Sequence, residues 1–221
     1  MKHYDILIAS PGSEFLGAYV RSLAETLHGC AQRNLSWKFL NGQSSLVHHA
    51  RELTASGGEG KELDPHQTSP GKDLTYDTIV WIDSDISWTP EQFFALVDSR
   101  HEVTTGAYLL TDGSTTIHAW GRPGSVPAVE LLRMREPIKV QSCGFGFIAM
   151  KRGVFEAMQR PWFNHEFQKV GTAPDGSDVI DCLGEDISWC VKAHRAKIEI
   201  WFDPRALVTH NKTMPLQFSM R

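Results

Sequence analysis

The segment that most constrains the fold is Thr78-Ile79-Val80-Trp81-Ile82, the most apolar short run in the chain, which stops abruptly at Asp83. A run of this length and composition predicts a strand that is buried on both faces. Such strands occur in sheets that are covered by helices on either side. Residues that directly follow them lie at the carboxyl edge of the sheet, where ligands bind in this class of fold.

Strand and helix patterns alternate along the first half of the chain. Strands are predicted at 4–9, 35–40, 78–82 and 103–110, and helices at about 15–27, 44–55 and 90–99, the last opened by a capping box at Thr89-Pro90-Glu91-Gln92. Residues 57–73 are rich in glycine and proline and predict an exposed, mobile loop. This alternation predicts an α/β fold with a mixed, mainly parallel sheet flanked by helices.

The second half is less regular. Residues 112–135 predict a loop with a short strand, and 139–150 predict strand structure around the Gly144-Phe145-Gly146 break. The predicted elements that follow are a short helix near 153–159, a loop, a helix over 184–196, a strand over 197–202, a turn at Asp203-Pro204 and a last strand over 206–209. We interpret the chain as one domain over residues 1–221, with a nucleotide-binding half up to about residue 110 and a second, catalytic half after it.

Composition and charge narrow the class of protein. A formal net charge of −4 gives no general electrostatic basis for nucleic-acid binding. No apolar run approaches the length of a membrane helix, and the N-terminus lacks the apolar stretch of a signal peptide, so we expect a cytoplasmic protein. The four cysteines match no zinc-binding spacing and are expected to be free thiols.

Asp83-Ser84-Asp85 is the first candidate for chemistry. Two carboxylates separated by one residue, directly after a buried strand, can face the same side and share a divalent cation. Hard oxygen ligands of this kind suit Mg²⁺ or Mn²⁺, which could bridge the phosphates of a nucleotide. A capped turn with solvated acids is the alternative interpretation.

His210 closes the last predicted strand, and a neutral imidazole could complete a metal site that the carboxylates begin. Glu185 and Asp186 lie at the predicted start of a helix, where the helix dipole favours acids, and either could act as a general base toward an acceptor hydroxyl. Arg51, on the helix over 44–55, is either an exposed charge paired with a neighbouring acid or a cation that reaches a nucleotide diphosphate. Trp120 and Trp162 could stack on a sugar or acceptor, or belong to the core.

Taken together, several segments resemble the GT-A glycosyltransferases, particularly the compact family-2-like bacterial and viral members. The similar segments are residues 77–86 with the Asp-x-Asp, 45–51 with the helix arginine, 142–147 with the glycine-containing strand, 184–190 with the Glu-Asp helix start, and Asp203-Pro204 followed by His210. Their order and approximate spacing agree with the family.

The resemblance implies a nucleotide-sugar donor such as a UDP- or GDP-sugar, Mn²⁺ or Mg²⁺, and transfer to a hydroxyl. Asp85 and His210 would be direct metal ligands, while Asp83 and Ser84 would contact the donor, Asp83 through ribose or through water on the metal. The turn Ser10-Pro11-Gly12 would hold base and ribose.

By the same resemblance, Asp186 would be the base of an inverting reaction, and Gly144 would border the acceptor. Glu52 stands where the family commonly has asparagine, so the donor contacts around Arg51 are expected to differ from those of the family.

Two other functions remain open. A sugar-nucleotide nucleotidyltransferase also combines nucleotide, metal and α/β sheet, but its glycine-rich basic loop is absent near residues 9–14. A non-catalytic nucleotide- or sugar-binding domain would not need Asp83, Asp85, Asp186 and His210 together. The acceptor could be a glycan, a protein or a small molecule, and less readily a modified DNA base; oligomeric state and stereochemistry are open.

Overall fold

The computed structural model describes residues 1–57 and 63–212. Helices α1–α5 and strands β1–β13 follow one another as β1 Lys2–Ala9, α1 Gly17–Gln32, β2 Trp37–Leu40, α2 Val47–Ala55, β3 Leu74–Ile82, β4 Ile86–Ser87, α3 Pro90–Val97, β5 Val103–Ala107, β6 Ile117–His118, α4 Ala128–Leu131, β7 Ile138–Val140, β8 Ser142–Cys143, β9 Phe147–Lys151, β10 Phe167–Thr172, β11 Asp178–Cys182, α5 Glu185–Arg195, β12 Ile200–Leu207 and β13 Thr209–His210. No helix among these residues combines the length and the apolar character needed to cross a bilayer.

The centre of the fold is a seven-stranded sheet with the order β2-β1-β3-β9-β5-β12-β7. Strands β1, β2 and β3 pair in parallel, as do β5 and β12. Only β9 and β7 run in the opposite direction, so that β9 is antiparallel to both of its neighbours. This confirms the predicted mixed, mainly parallel sheet. Strands from the two expected halves of the chain are interleaved in this sheet. Strand β9, from the second half, lies between β3 and β5, which belong to the first.

Helices cover both faces of the sheet, as predicted. Alternate residues of β3 point to opposite faces, so Ile79 and Trp81 enter one apolar core while Val80 and Ile82 enter the other. Trp189 of α5 packs in the first core, and residues of α1 and α3 pack in the second. Burial on both sides explains why this strand is apolar at successive positions.

The capping box that opens α3 is confirmed. The Thr89 backbone N–H donates to Gln92 Oε1 at 2.8 Å, and the Gln92 N–H donates to Thr89 Oγ1 at 3.4 Å. Pro90 is the first helical residue. The four cysteines are unpaired, which agrees with the expected free thiols.

Four local predictions are wrong. Residues 128–131, predicted as part of a loop with a short strand, form helix α4. Residues 153–159 form turns instead of a helix, because the segment is short and Pro161 prevents its extension. Part of the expected loop before the last helix is a hairpin, β10–β11. Strand β12 continues through Asp203-Pro204 with a register shift, since a bulge can accept a proline that a regular ladder cannot.

The loop at 57–73 is exposed only in part. Pro70 and Gly71 are buried, and the Gly71 N–H donates to the Ala55 carbonyl at 2.8 Å. This contact satisfies a carbonyl that the end of α2 leaves without a helical partner. Residues 58–62 of the predicted loop lie outside the described residues.

Candidate active site

Asp83-Ser84-Asp85 lies at the carboxyl end of β3, as predicted. The Asp83 N–H donates to the Gly146 carbonyl at 3.1 Å, and the Ile86 N–H donates to the Asp83 carbonyl at 3.0 Å. These bonds fold the three residues into a tight turn at the sheet edge. The two carboxylates have different partners there: Asp83 faces Arg51 and Asp85 faces His210.

Pairing of two very short strands brings His210 to Asp85. Strand β13 is antiparallel to β4, with His210 opposite Ile86, and the Asn211 N–H donates to the Asp85 carbonyl at 2.8 Å. His210 Nε2 then lies 3.1 Å from Asp85 Oδ2. The predicted histidine and carboxylate therefore meet although they are far apart in sequence.

The imidazole of His210 is oriented by its other nitrogen. Nδ1 lies 2.8 Å from the Leu109 carbonyl oxygen, which can only accept, so Nδ1 carries the proton. In the neutral ring, Nε2 is left with a lone pair that faces the acidic oxygen of Asp85. Two acceptors at this distance require a proton or a metal ion between them. Neighbouring ligands of an octahedral ion with bonds of about 2.1 Å lie about 3 Å apart, so the pair fits Mn²⁺ or Mg²⁺.

Lys212 also reaches this pair. Its Nζ lies 2.7 Å from Asp85 Oδ2, the same oxygen that His210 faces. Lys212 is therefore a cationic partner of Asp85. Lys212 was not selected from the sequence; the available signal is its position two residues after His210, on the same side of an extended chain.

Arg51 is buried, with 3% of its surface exposed, between two acids. Nη2 donates to Asp83 Oδ2 at 3.2 Å and Nε donates to Glu185 Oε1 at 3.3 Å. Burial opposes the charge, but attraction from Asp83 and Glu185 outweighs it and raises the pKa of Arg51. Nη1 lies 3.0 Å from Asp83 Oδ1 without an aligned hydrogen bond to any described residue, and it is buried, so Arg51 faces Asp83 and Glu185 and offers no exposed N–H group at this atom.

Glu185 and Asp186, the two acids at the start of α5, lie in different environments. Glu185 is bound to Arg51, whereas Asp186 is partly buried and accepts a hydrogen bond from the Ile187 N–H at 2.7 Å. Burial, and then the negative charge of Glu185, raise the pKa of Asp186. The helix has no side-chain cap at Gly184, and the Ile187 N–H is instead satisfied by the Asp186 carboxylate. Of the two candidates from sequence, Asp186 is the one without an ion-pair partner among the described residues, since Arg51 binds Glu185.

Tyr108 contacts both Gly146 and His210, and it was not selected from the sequence. Its hydroxyl accepts a hydrogen bond from the Gly146 N–H at 3.1 Å, and its ring lies 5.0 Å from that of His210. Burial, and then the charge of Asp83, raise the pKa of its hydroxyl. A Cβ at Gly144 or Gly146 would lie within 2.6 Å of this oxygen, so both positions must be glycine. Gly144 is buried under Tyr108, and it offers no surface to an acceptor.

The turn Ser10-Pro11-Gly12 follows β1 and lies beside the Asp83 turn. Asn41, the residue after β2, donates through Nδ2 to the carbonyls of Ser10 and Gly12, each at 2.8 Å. Gly12 has φ +126°, and a Cβ there would lie 3.4 Å from Ser84 Oγ. Ser10 is buried, and its hydroxyl forms a hydrogen bond with the Tyr19 hydroxyl. The turn that we assigned to the donor is therefore at the same edge as Asp83, held by an asparagine that the sequence analysis did not select.

The two tryptophans assigned to the acceptor lie in different places. Trp162 has no exposed surface and packs against Phe155 in the core, where its Nε1 donates to the Met158 carbonyl. It cannot stack on an acceptor, which corrects that assignment. Trp120 is 54% exposed and its ring lies 5.0 Å from that of His194.

No protein family model matches this sequence, and no curated protein matches it significantly. Solved structures do match. The crystal structure of A197 from STIV superposes with a TM-score of 0.51 at 15% sequence identity, over 98% of both chains. The crystal structure of GalNAc-T7 with UDP, GalNAc and Mn2+ superposes with a TM-score of 0.55 at 12% identity, over 96% of this chain and 44% of that one.

At these identities the similarity shows the fold alone. The chain has a Rossmann-like α/β fold of the GT-A, glycosyltransferase-like type, as expected from the sequence. It spans less than half of the GalNAc-T7 chain.

Proposed function

We propose that this protein is a metal-dependent glycosyltransferase that moves a sugar from a UDP- or GDP-sugar to an acceptor hydroxyl. The observation that supports this most is the Asp85–His210 pair, in which the Leu109 carbonyl orients the imidazole so that its lone pair faces the carboxylate. The glycosyltransferase-like fold provides the context for the pair.

Asp85 and His210 would hold the metal, with Asp83 nearby to contact ribose or a metal-bound water. When bound, Mn²⁺ or Mg²⁺ would neutralise the charge on the departing nucleoside diphosphate. Arg51 holds Asp83 in place, so its contribution to donor binding would act through the position of that carboxylate. The Ser10-Pro11-Gly12 turn would contact the base and ribose.

Asp186 is our candidate for the general base. It would take the proton from the acceptor hydroxyl while that oxygen attacks the anomeric carbon, and the bond from this carbon to the diphosphate oxygen would break with its electron pair. Attack from the side opposite to the leaving group inverts the configuration. A raised pKa suits this role, because a base that is too weak accepts a proton poorly.

The test of the donor site is Asp85→Asn, measured by titration calorimetry with UDP or GDP in Mn²⁺. Asparagine keeps the size of the side chain but removes the charge that the metal needs. We expect metal-dependent nucleotide affinity to fall at least about 100-fold, and hydrolysis of the UDP- or GDP-sugar to fall with it.

The matched control is Asp98→Asn, an exposed aspartate paired with Arg33. It should bind the nucleotide as the unmodified protein does. If the unmodified protein has no affinity for either nucleotide with any divalent metal, the donor site is wrongly assigned. Release of free sugar and nucleoside diphosphate separates transfer chemistry from a nucleotidyltransferase, which would act at the phosphates, and from a non-catalytic binding domain.

The raised pKa of Asp186 predicts the pH dependence of transfer. Activity requires the deprotonated base, so kcat/KM should fall with decreasing pH at a value above about 3.9, that of an unperturbed aspartate. Glu185→Gln removes a negative charge that raises this pKa, and the acid limb should therefore move to lower pH. A limb that stays in place or moves upward would contradict the assignment of the base. Glu130→Gln is the control, since Glu130 is partly exposed and paired with Arg122.

A further inference from the structure

A groove of about 400 Å³ lies along the side of α5, outside the candidate metal site. It is bounded by the Trp120 loop, by the residues around β8 and by strand β10. Its lining consists of an aromatic ring, amides, a hydroxyl, two aliphatic side chains and two basic side chains: Trp120, Gln141, Ser142, Gln168, Ile187, Val191, His194 and Arg195.

Backbone pairing holds the Trp120 side of the groove in place. Strand β6 pairs with β8, and the Gln141 N–H donates to the His118 carbonyl at 2.8 Å, so Trp120 lies two residues after the end of a paired strand. His194 Nε2 donates to the Gln141 carbonyl at 2.7 Å. This bond fixes the imidazole that Trp120 contacts, and it leaves the indole more than half exposed.

The polar groups of the groove are available to a ligand. The side-chain amides of Gln141 and Gln168 form no hydrogen bond with any residue in 1–57 or 63–212. Each offers both a donor and an acceptor. Arg195, in contrast, is neutralised by Glu166, whose Oε2 lies 2.5 Å from its Nη1. The groove therefore has neutral donors and acceptors beside an open aromatic face, and its strongest cation is already paired.

Two continuous elements connect the groove with the candidate active site. Ile187, in the lining, is the residue after Asp186 on α5. The chain from Gln141 also leads to Gly146, whose carbonyl accepts the Asp83 N–H, over a distance of at most about 17 Å at about 3.3 Å per residue. The groove therefore shares helix α5 with Asp186, while Asp85 and His210 are not part of its lining.

We propose that this groove binds a sugar unit of a neutral oligosaccharide acceptor; its role as an acceptor subsite rests on the proposed function. The apolar face of a sugar ring would lie on Trp120, and its hydroxyl groups would bond to the two glutamine amides. A single-stranded nucleic acid could also stack on tryptophan, but it requires a positively charged groove, and Glu166 compensates Arg195 here. The acceptor class is therefore a glycan.

The test is binding of short neutral gluco-, manno- and N-acetylgluco-oligosaccharides by titration calorimetry, without nucleotide or metal. We expect one series to bind the unmodified protein, with affinity reduced roughly tenfold or more by Trp120→Ala and also reduced by Gln168→Ala. Gln168 is exposed on the hairpin, so its replacement does not affect the core. Because no nucleotide or metal is present, failure of the donor site and failure of this groove are distinguishable.

Trp37→Ala is the matched control, since Trp37 is a partly exposed tryptophan on β2 at the far edge of the sheet. It should bind the oligosaccharide as the unmodified protein does. The proposal is overturned if no series binds, if Trp37→Ala weakens binding as much as Trp120→Ala, or if oligothymidylate binds at the groove in preference to every oligosaccharide.

Discussion

Replacing Asp186 with asparagine is expected to lower the turnover of sugar transfer by about 10²–10⁴-fold, the usual contribution of a general base. Asparagine fits the same space at the start of α5 but cannot accept a proton from the acceptor hydroxyl. Affinity for UDP or GDP with Mn²⁺ should change little, because Asp186 does not contact Asp85 or His210 among the described contacts. Steady-state kinetics and calorimetry on the same variant measure the two quantities.

The control for this prediction is Asp181→Asn, an exposed aspartate at the end of the neighbouring hairpin. It should retain full turnover. Normal turnover in Asp186→Asn would remove Asp186 from the chemistry, whereas loss of nucleotide affinity equal to the loss of turnover would make it a donor-site residue instead.

Replacing Arg51 with methionine is expected to lower the free energy of unfolding by about 3–5 kcal/mol, the cost of removing one partner from a buried ion pair. Arg51 is almost fully buried, and it is the cation between Asp83 and Glu185. Without it, two carboxylates face each other in a poorly solvated place. Urea unfolding followed by far-ultraviolet circular dichroism measures the loss, and nucleotide binding should weaken as Asp83 loses its fixed position.

Arg33→Met is the matched control, because Arg33 pairs with Asp98 on the surface and such pairs contribute about 0–1 kcal/mol. If Arg51→Met cost no more than Arg33→Met, the buried triad would not hold this edge of the sheet together. Arg51→Lys should recover part of the stability, since lysine keeps the charge but cannot bond both acids with the same geometry.

Most of the fold could be predicted from the sequence because its elements leave local patterns. The apolar run of β3, the Thr89–Gln92 capping box and the helical spacing in α1 each depend on residues that are near neighbours in the chain. The β10–β11 hairpin had no such signal. Its strands are exposed on both faces, so they lack the alternation of apolar and polar residues by which half-buried strands are predicted.

The candidate site could be predicted where it follows a strand or begins a helix. Asp83, Asp85, Asp186 and His210 are such positions. Tyr108 could not be selected, because its role depends on the space that Gly144 and Gly146 leave for its hydroxyl. Trp162 was wrongly assigned for a related reason: composition does not distinguish a tryptophan of the core from one in a groove.

The sequence by itself determined which residues end the strands, and therefore which acids lie at the carboxyl edge of the sheet. Whether those acids have partners was decided only by the tertiary structure. The β4–β13 pairing joins Asp85 to His210 across 125 positions, and the packing of α2 and α5 places Arg51 between Asp83 and Glu185. The physical reason is the separation along the chain between the residues that interact. Strand and helix patterns arise from neighbours along the chain, whereas the charge balance of a site depends on side chains that meet only after the sheet has formed.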